Sequence, residues 1–448
     1  MVFIKPFDYV LLLFYSLIFY FIFKLKGNKY TSTGLNHYFI TAFWLRIIGS
    51  ALYASVVQFY YGYGDSFSFF KGSNFIRSVI ASENNSIFSF FYSGETFSKI
   101  FSITEGGDAF LESGLSVDSN LIVMKISAAL SYISFNSYLV VSAFFGVFSF
   151  LGIWKLFCVF TEITNNKSNR LLAFFILYLP SICFWGSGLI KDSICLGSLC
   201  FSVSIIYRVF IKKQYSILEL IQLLLFLYLL FTIKSYIAGA LIFSILLVLI
   251  ITTINKIQNK FLKLTSSIGL ILIAWLFFSL TFSNYIETLL AESKASIETF
   301  KISYSNAELD DDRSLASFKG EEFDISLSNL IAQSPFVFFG TLFRPYIWET
   351  RKPIMLFSSL ESLIGLFFAI FILFKGKVYR FFYCIITDEL LLFCLVFIII
   401  MALIVGFTTF NFGTLVRYRL PVLPFFYFLL ISVFQKIREN KKVISAVE

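Results

Sequence analysis

The sequence predicts an all-α polytopic membrane protein, with about eleven membrane-crossing helices and amphipathic surface helices in two long loops on the non-cytoplasmic side. Three observations carry this. Of 448 residues, 58% are hydrophobic and only 14% are charged, where a soluble chain carries about a quarter charged residues. Apolar runs near twenty residues long recur along the chain, and hydrocarbon accepts backbone only when its polar groups are paired internally. Two stretches, 60–137 and 283–354, interrupt the runs with polar sequence. The whole of 1–448 reads as one transmembrane domain.

In chain order the expected spans are Phe7–Phe23, Tyr38–Phe59, Tyr138–Phe160, Leu171–Leu189, Ser193–Ile211, Ile217–Ile233, Tyr236–Ile254, Ser266–Phe282, Met355–Phe374, Cys384–Phe407 and Leu420–Phe434. The first follows a single Lys5 and lacks a small-residue cleavage site after it, so it reads as an uncleaved helix. Within the first loop, Ser119–Ile133 alternates apolar and small residues at helical spacing, which predicts a helix along the membrane surface. The second loop opens acidic, with Glu308, Asp310–Asp312, Glu321, Glu322 and Asp324, then turns apolar through Leu327–Trp348. That part predicts an interfacial helix with an aromatic end. No internal repeat is visible, which argues against an inverted-repeat transporter.

Orientation follows from Lys and Arg in the short loops. One set carries Lys24, Lys26, Lys29, Lys167, Arg170, Arg208, Lys212, Lys213, Lys256, Lys260, Lys263, Lys375, Lys377, Arg380, Lys436, Arg438, Lys441 and Lys442. The other holds only Lys5, Lys191, Lys234, Arg417 and Arg419. The first set is therefore expected in the cytoplasm, with the N-terminus outside, the C-terminus inside and both long loops outside. The net charge of +9 is scattered over loops rather than gathered in a stripe, so it reports topology and not nucleic acid. All six cysteines lie in apolar segments, so no disulfide framework is expected in the loops. His37 stands alone, and no P-loop, dinucleotide fingerprint or HExxH is present.

Four places combine charge with membrane depth. Asp65, in YYGYGDSFSFF, follows the second span; aromatic neighbours that limit its solvation suit a general base, and a capped Gly-Asp turn is the plainer reading. Lys191 and Asp192, in PSICFWGSGLIKDS between two apolar runs, are either an ion pair at the mouth of a hairpin or a polar tip. Arg344, in LFRPYIWE with Glu349, is placed to hold a phosphate at headgroup level or to anchor the interface. Arg417 and Arg419 precede the last span against the topology rule, which suggests a bound anion, with solvated arginines as the alternative. Arg46 and Lys155 lie inside spans and read as snorkelling or internally paired, and Glu361, in the outer third of its span, reads as cavity-lining.

An acid early in the first outer loop, a surface helix leading into the next span, and Arg417-Tyr418-x-x-Pro421-x-x-Pro424 at the last helix together resemble the glycosyltransferase C superfamily. That resemblance implies a bacterial inner-membrane enzyme that takes a sugar from a polyprenyl-phosphate carrier on the periplasmic side, with inversion. It implies Asp65 as general base, Arg417 at the lipid phosphate with Arg419, Arg344 and Lys191 as further cations, and Asp192, Tyr418 and Glu349 in support. Many members carry an acidic pair in the first loop, whereas Asp65 is followed by Ser66; no cofactor is therefore fixed, and a divalent metal stays open. Expected partners are a polyprenyl-phosphate-linked sugar or glycan and membrane lipids, with no nucleic acid. A polymerase of lipid-linked repeat units is the alternative, a non-catalytic lipid or polysaccharide transporter a second, and a structural envelope subunit a third.

Overall fold

The computed structural model describes residues 3–31, 34–82, 90–103, 117–259, 327–350, 353–409 and 412–445, with a few isolated positions between 261 and 272. Among these residues all regular structure is helical. Seven helices are long and apolar enough to cross a membrane, or eight if a bent pair at the C-terminal end is one span. Most of the expected span Ser266–Phe282, the acidic start of the second loop, Lys260, Lys263, Arg351 and Lys352 lie outside the described residues. The chain divides into two compact units, Met1–Ala238 and Gly239–Glu448.

The first unit begins with α1 (Pro6–Thr31) and α2 (Asn36–Val56), the latter continued by a wide π turn, Val57–Tyr61. The first loop folds into α3 (Asp65–Ser82), α4 (Gly94–Ile103) and α5 (Asp118–Ile133). α5 starts one residue before the expected surface helix and buries Leu121, Val123, Met124 and Ala128. Its Met124 lies where a Cβ on Gly72 of α3 would fall, so the two helices touch closely. Lys125 of α5 donates to the Tyr92 carbonyl at 2.8 Å. Burial lowers its amine below the usual lysine value, and Asp118 offsets part of that.

α6 (Tyr138–Ile163) is the core of this unit and is mostly buried, whereas α1 is mostly exposed. Both helices are apolar on all sides. For α6 that surface meets protein; for α1 it leaves Phe7, Phe14 and Phe21 exposed. α9 (Lys191–Ile206, continued by a π turn, Tyr207–Ile211) packs along α6. A Cβ on Gly152 would fall 2.4 Å from the Gly197 carbonyl oxygen, so the two backbones approach through small residues. Glu162 at the end of α6 pairs with Lys212 at the end of α9. The two helices are therefore parallel, and residues 164–190 must return the whole distance between them.

That return is not the single helix the sequence predicts over Leu171–Leu189. It runs as α7 (Asn169–Leu172), a π turn (Ala173–Leu177), a break at Tyr178–Leu179, α8 (Pro180–Trp185) and a turn through Ile190. Pro180 lacks the N–H needed to continue a helix and instead starts one at its first position. α10 (Ile217–Asn255) merges the expected spans Ile217–Ile233 and Tyr236–Ile254 across a kink at Lys234, whose φ/ψ of −145°/79° is not helical. Arg208 pairs with Glu219 at the start of α10, and Phe201 stacks on Phe226 at 4.6 Å, so α10 runs back along α9 from the Lys212 end toward Lys191.

The second unit holds α11 (Leu327–Phe343), a 3-10 turn (Ile347–Glu349), α12 (Pro353–Gly376), α13 (Val378–Ile386), α14 (Glu389–Thr408), α15 (Phe412–Tyr418) and α16 (Leu423–Ser445). The expected span Cys384–Phe407 is shortened at its start. Asp388 caps α14 by accepting from the N–H groups of Leu390 and Leu391, which leaves Cys384 on the separate helix α13. α15 and α16 meet at 63° around Pro421. Gly365 approaches Tyr427 and Gly376 approaches Ile437, so α12 and α16 run in parallel.

Candidate functional site

In the first unit, α2 ends through Gly62 at φ 70° and Gly64 at φ 138°, backbone that only glycine adopts without strain. This turns the chain so that Asp65 opens α3 on the exposed side, where the helix dipole favours a carboxylate. The next residue locks the start of α3: Ser66 is buried and shares a 2.7 Å hydrogen bond with Tyr138. Phe67 and Phe70 pack edge-on against the same Tyr138 ring. The carboxylate therefore stands on a rigid base.

Asp65 lies within electrostatic range of Lys191. Lys191, half-buried at the start of α9, donates to Ser119 of α5 at 2.8 Å. Asp192 is paired with Lys234, 2.5 Å away, and also acts electrostatically on Lys191. Both partners of that pair are buried, at 4% and 8% exposure. Lys234 is also the residue at which α10 departs from helical geometry, and its amine lies 6.0 Å from the Tyr236 ring centre. Four charged side chains from α3, α9 and α10 thus gather at one end of this unit. The pairs Glu162–Lys212 and Arg208–Glu219 mark the other end.

The sequence reading did not single out Lys234. The available signal was a lysine in a two-residue gap between apolar runs, and an aspartate in a three-residue gap between two others. Charge at such depth needs a partner. Arg46 follows the internally paired of its two readings, with carbonyls as its partners. It is 1% exposed and, among the described residues, reaches no carboxylate; its Nη1 donates to the carbonyls of Ile182 and Gly186 at 2.6 and 3.2 Å.

In the second unit, Arg344 forms a two-pronged pair with Glu349, Nε lying 2.9 and 3.1 Å from the two carboxylate oxygens. The same carboxylate accepts from the Tyr346 N–H at 2.8 Å and so closes the 3-10 turn. The guanidinium also lies 5.3 Å from the Phe412 ring centre. Much of the donor capacity expected to meet a phosphate is therefore engaged within the protein.

Arg419 is 1% exposed and donates to the carbonyls of Leu342 and Arg344, at 3.2 and 2.7 Å, and to the Ser362 hydroxyl at 2.8 Å. It ties the end of α11 to α12 and is not presented to a ligand at the surface. Glu361, 6% exposed, acts on it electrostatically. Arg417 and Tyr418 are half-buried in the last turn of α15.

A carboxylate within electrostatic range of an amine, at one end of a helical unit, is the pairing that accepting a hydroxyl proton and stabilising an anionic leaving group require. Among the described residues, no three His, Cys, Asp or Glu side chains come together as metal ligands. No family model, curated protein or solved structure matches the chain.

Proposed function

We propose that the chain is a membrane glycosyltransferase that moves a sugar from a polyprenyl-phosphate carrier to an acceptor hydroxyl. The observation that supports this reading is the gathering of Asp65, Lys191, Asp192 and Lys234 at one end of the first unit. In this reading Asp65 deprotonates the acceptor, whose oxygen attacks the anomeric carbon from the face opposite the phosphate and inverts it. The bond between that carbon and the phosphate oxygen breaks, and the carrier phosphate leaves with the electron pair. Lys191 stabilises the charge that develops on it, more in the transition state than before it. The buried Lys234–Asp192 pair holds the start of α9 and so fixes Lys191.

The orientation belongs to the same proposal. The end bearing Glu162, Lys212 and Arg208 carries the basic short loops and faces the cytoplasm of a bacterial inner membrane, while the Asp65 end faces the periplasm. The assay is transfer from a panel of radiolabelled polyprenyl-phosphate monosaccharides by purified protein in liposomes. Asp65→Asn is expected to lower turnover about 100-fold or more; full transfer by that variant removes the base assignment. Arg417→Ala reads the further expectation of a phosphate on Arg417 through the KM for the carrier. A ladder of products rather than a single addition indicates a polymerase.

A further inference from the structure

The return segment between α6 and α9 ends in a turn that no regular element holds. α8 has six residues and stops at Trp185, after which Gly186–Ile190 run without helix to Lys191. Arg46 reaches this turn from the middle of α2. Its Nη1 donates to the Ile182 carbonyl, the Gly186 carbonyl and, at 3.4 Å, the Ser187 hydroxyl. Its Nε and Nη2 are buried without a hydrogen-bond partner among the described residues. A guanidinium out of water is costly, and here the carbonyl end of α8, negative by its dipole, offsets that cost. The price of the charge is met only while the turn keeps its shape.

From there to the charged pair the chain is bonded step by step. The Ile190 N–H donates to the Gly188 carbonyl at 2.9 Å. The Ser193 hydroxyl donates to the same carbonyl at 2.7 Å, from the first turn of α9. Gly188 presses on Tyr53 of α2 so closely that a Cβ there would fall 2.3 Å from the ring. We infer that Arg46 is a positioning residue: it clamps the 186–190 turn and thereby sets where Lys191 and Asp192 stand. The importance of that placement rests on the function proposed above, but the clamp itself can be tested without any activity.

The experiment measures acylation of single lysines by an amine-reactive ester on the full-length protein in liposomes, read by mass spectrometry. Lys191 is compared with Lys212, at the far end of the same helix. Loss of a charge-assisted hydrogen bond shifts a local opening about tenfold, so Arg46→Met raises the Lys191/Lys212 ratio by roughly that factor. Gly186→Ala reaches the same result by another route, because its Cβ would fall 2.5 Å from the Ile182 carbonyl oxygen and 2.7 Å from the Arg46 Nη1 that it accepts from, wedging the clamp open. Arg46→Lys, a smaller change that keeps the charge, gives an intermediate ratio and serves where Arg46→Met does not fold. A lowered thermal midpoint with an unchanged ratio in Arg46→Met and Gly186→Ala overturns the proposal, since general loosening moves both lysines alike. Wild-type protein that transfers no sugar would sink the enzyme reading and leave this ratio as it is.

Discussion

The two units use the same pair of devices and connect them differently. Each buries an arginine against the carbonyl end of a helix: Arg46 on α8 in the first, Arg419 on α11 in the second. Each also pairs a cation with a carboxylate near the chain that leaves that helix end. In the second unit the devices share a residue, because the carbonyl that Arg419 holds belongs to Arg344, whose guanidinium pairs with Glu349. In the first, the 186–190 turn separates Arg46 from Asp192, and Asp192 finds its partner on another helix. The exposures differ too. The side chains of Lys234 and Asp192 are 8% and 3% exposed, against 31% and 16% for Arg344 and Glu349. One pair is therefore committed to the interior while the other remains within reach of solvent.

That difference yields the largest expected effect. Asp192→Ala leaves the Lys234 ammonium buried without its carboxylate, which costs about 3–5 kcal/mol. Glu349→Ala releases a half-exposed arginine that water can solvate and costs about 1 kcal/mol. Thermal unfolding in detergent should separate the two clearly. The double change Asp192→Leu with Lys234→Met should recover most of the loss, since it removes both charges together. Equal losses for Asp192→Ala and Glu349→Ala would end the distinction between a committed and an open pair.

Close helix contacts extend the comparison. Gly152 meets backbone: a Cβ there would fall 2.4 Å from the Gly197 oxygen and 2.8 Å from its Cα. α6 and α9 must separate to admit it, so Gly152→Ala costs about 1–3 kcal/mol. Gly365 instead meets the tip of a side chain, the Tyr427 hydroxyl at 2.7 Å. A ring can tilt where a backbone cannot, and alanine gains up to about 1 kcal/mol of helix propensity over glycine. Gly365→Ala should therefore be close to neutral in the same measurement. A midpoint drop as large as that of Gly152→Ala would show that Tyr427 is held as rigidly as a main chain.

How much of this was legible in the sequence depends on what each feature is made of. Long apolar helices were legible because their length and composition are local: α6 extends the expected Tyr138–Phe160 by three residues. α5 was legible from its periodicity. The broken return was less so. Pro180 and two glycines signal a weak helix, but only the parallel packing of α6 and α9 shows that residues 164–190 cross the unit in pieces. Partners were least legible. Asp192 stands beside Lys191 in sequence, yet helical geometry sends neighbouring side chains in different directions, and Asp192 meets a lysine 42 residues away. Arg419 read as a cation against the topology rule because its exposure cannot be inferred from a motif. Once buried on the carbonyls of Leu342 and Arg344, it needs no anion to explain its place.

The smallest expected effect concerns how the two units start a span. In the second unit Asp388 caps α14 with hydrogen bonds from Leu390 and Leu391, at 3.0 and 3.1 Å, and pairs with Lys436 of α16 at 2.6 Å. In the first, Ser137 caps α6 with a single bond from the Val140 N–H at 3.4 Å, near the limit at which such a bond counts. Asp388→Ala therefore loses about 1–2 kcal/mol, and Ser137→Ala about 0.5 kcal/mol. Lys436→Met divides the Asp388 loss, because it removes the ion pair and leaves the cap. If that variant reproduces the whole effect of Asp388→Ala, the aspartate serves as a tether between α14 and α16. If its effect is slight, the cap is what separates α14 from α13 and moves the start of this span past Cys384.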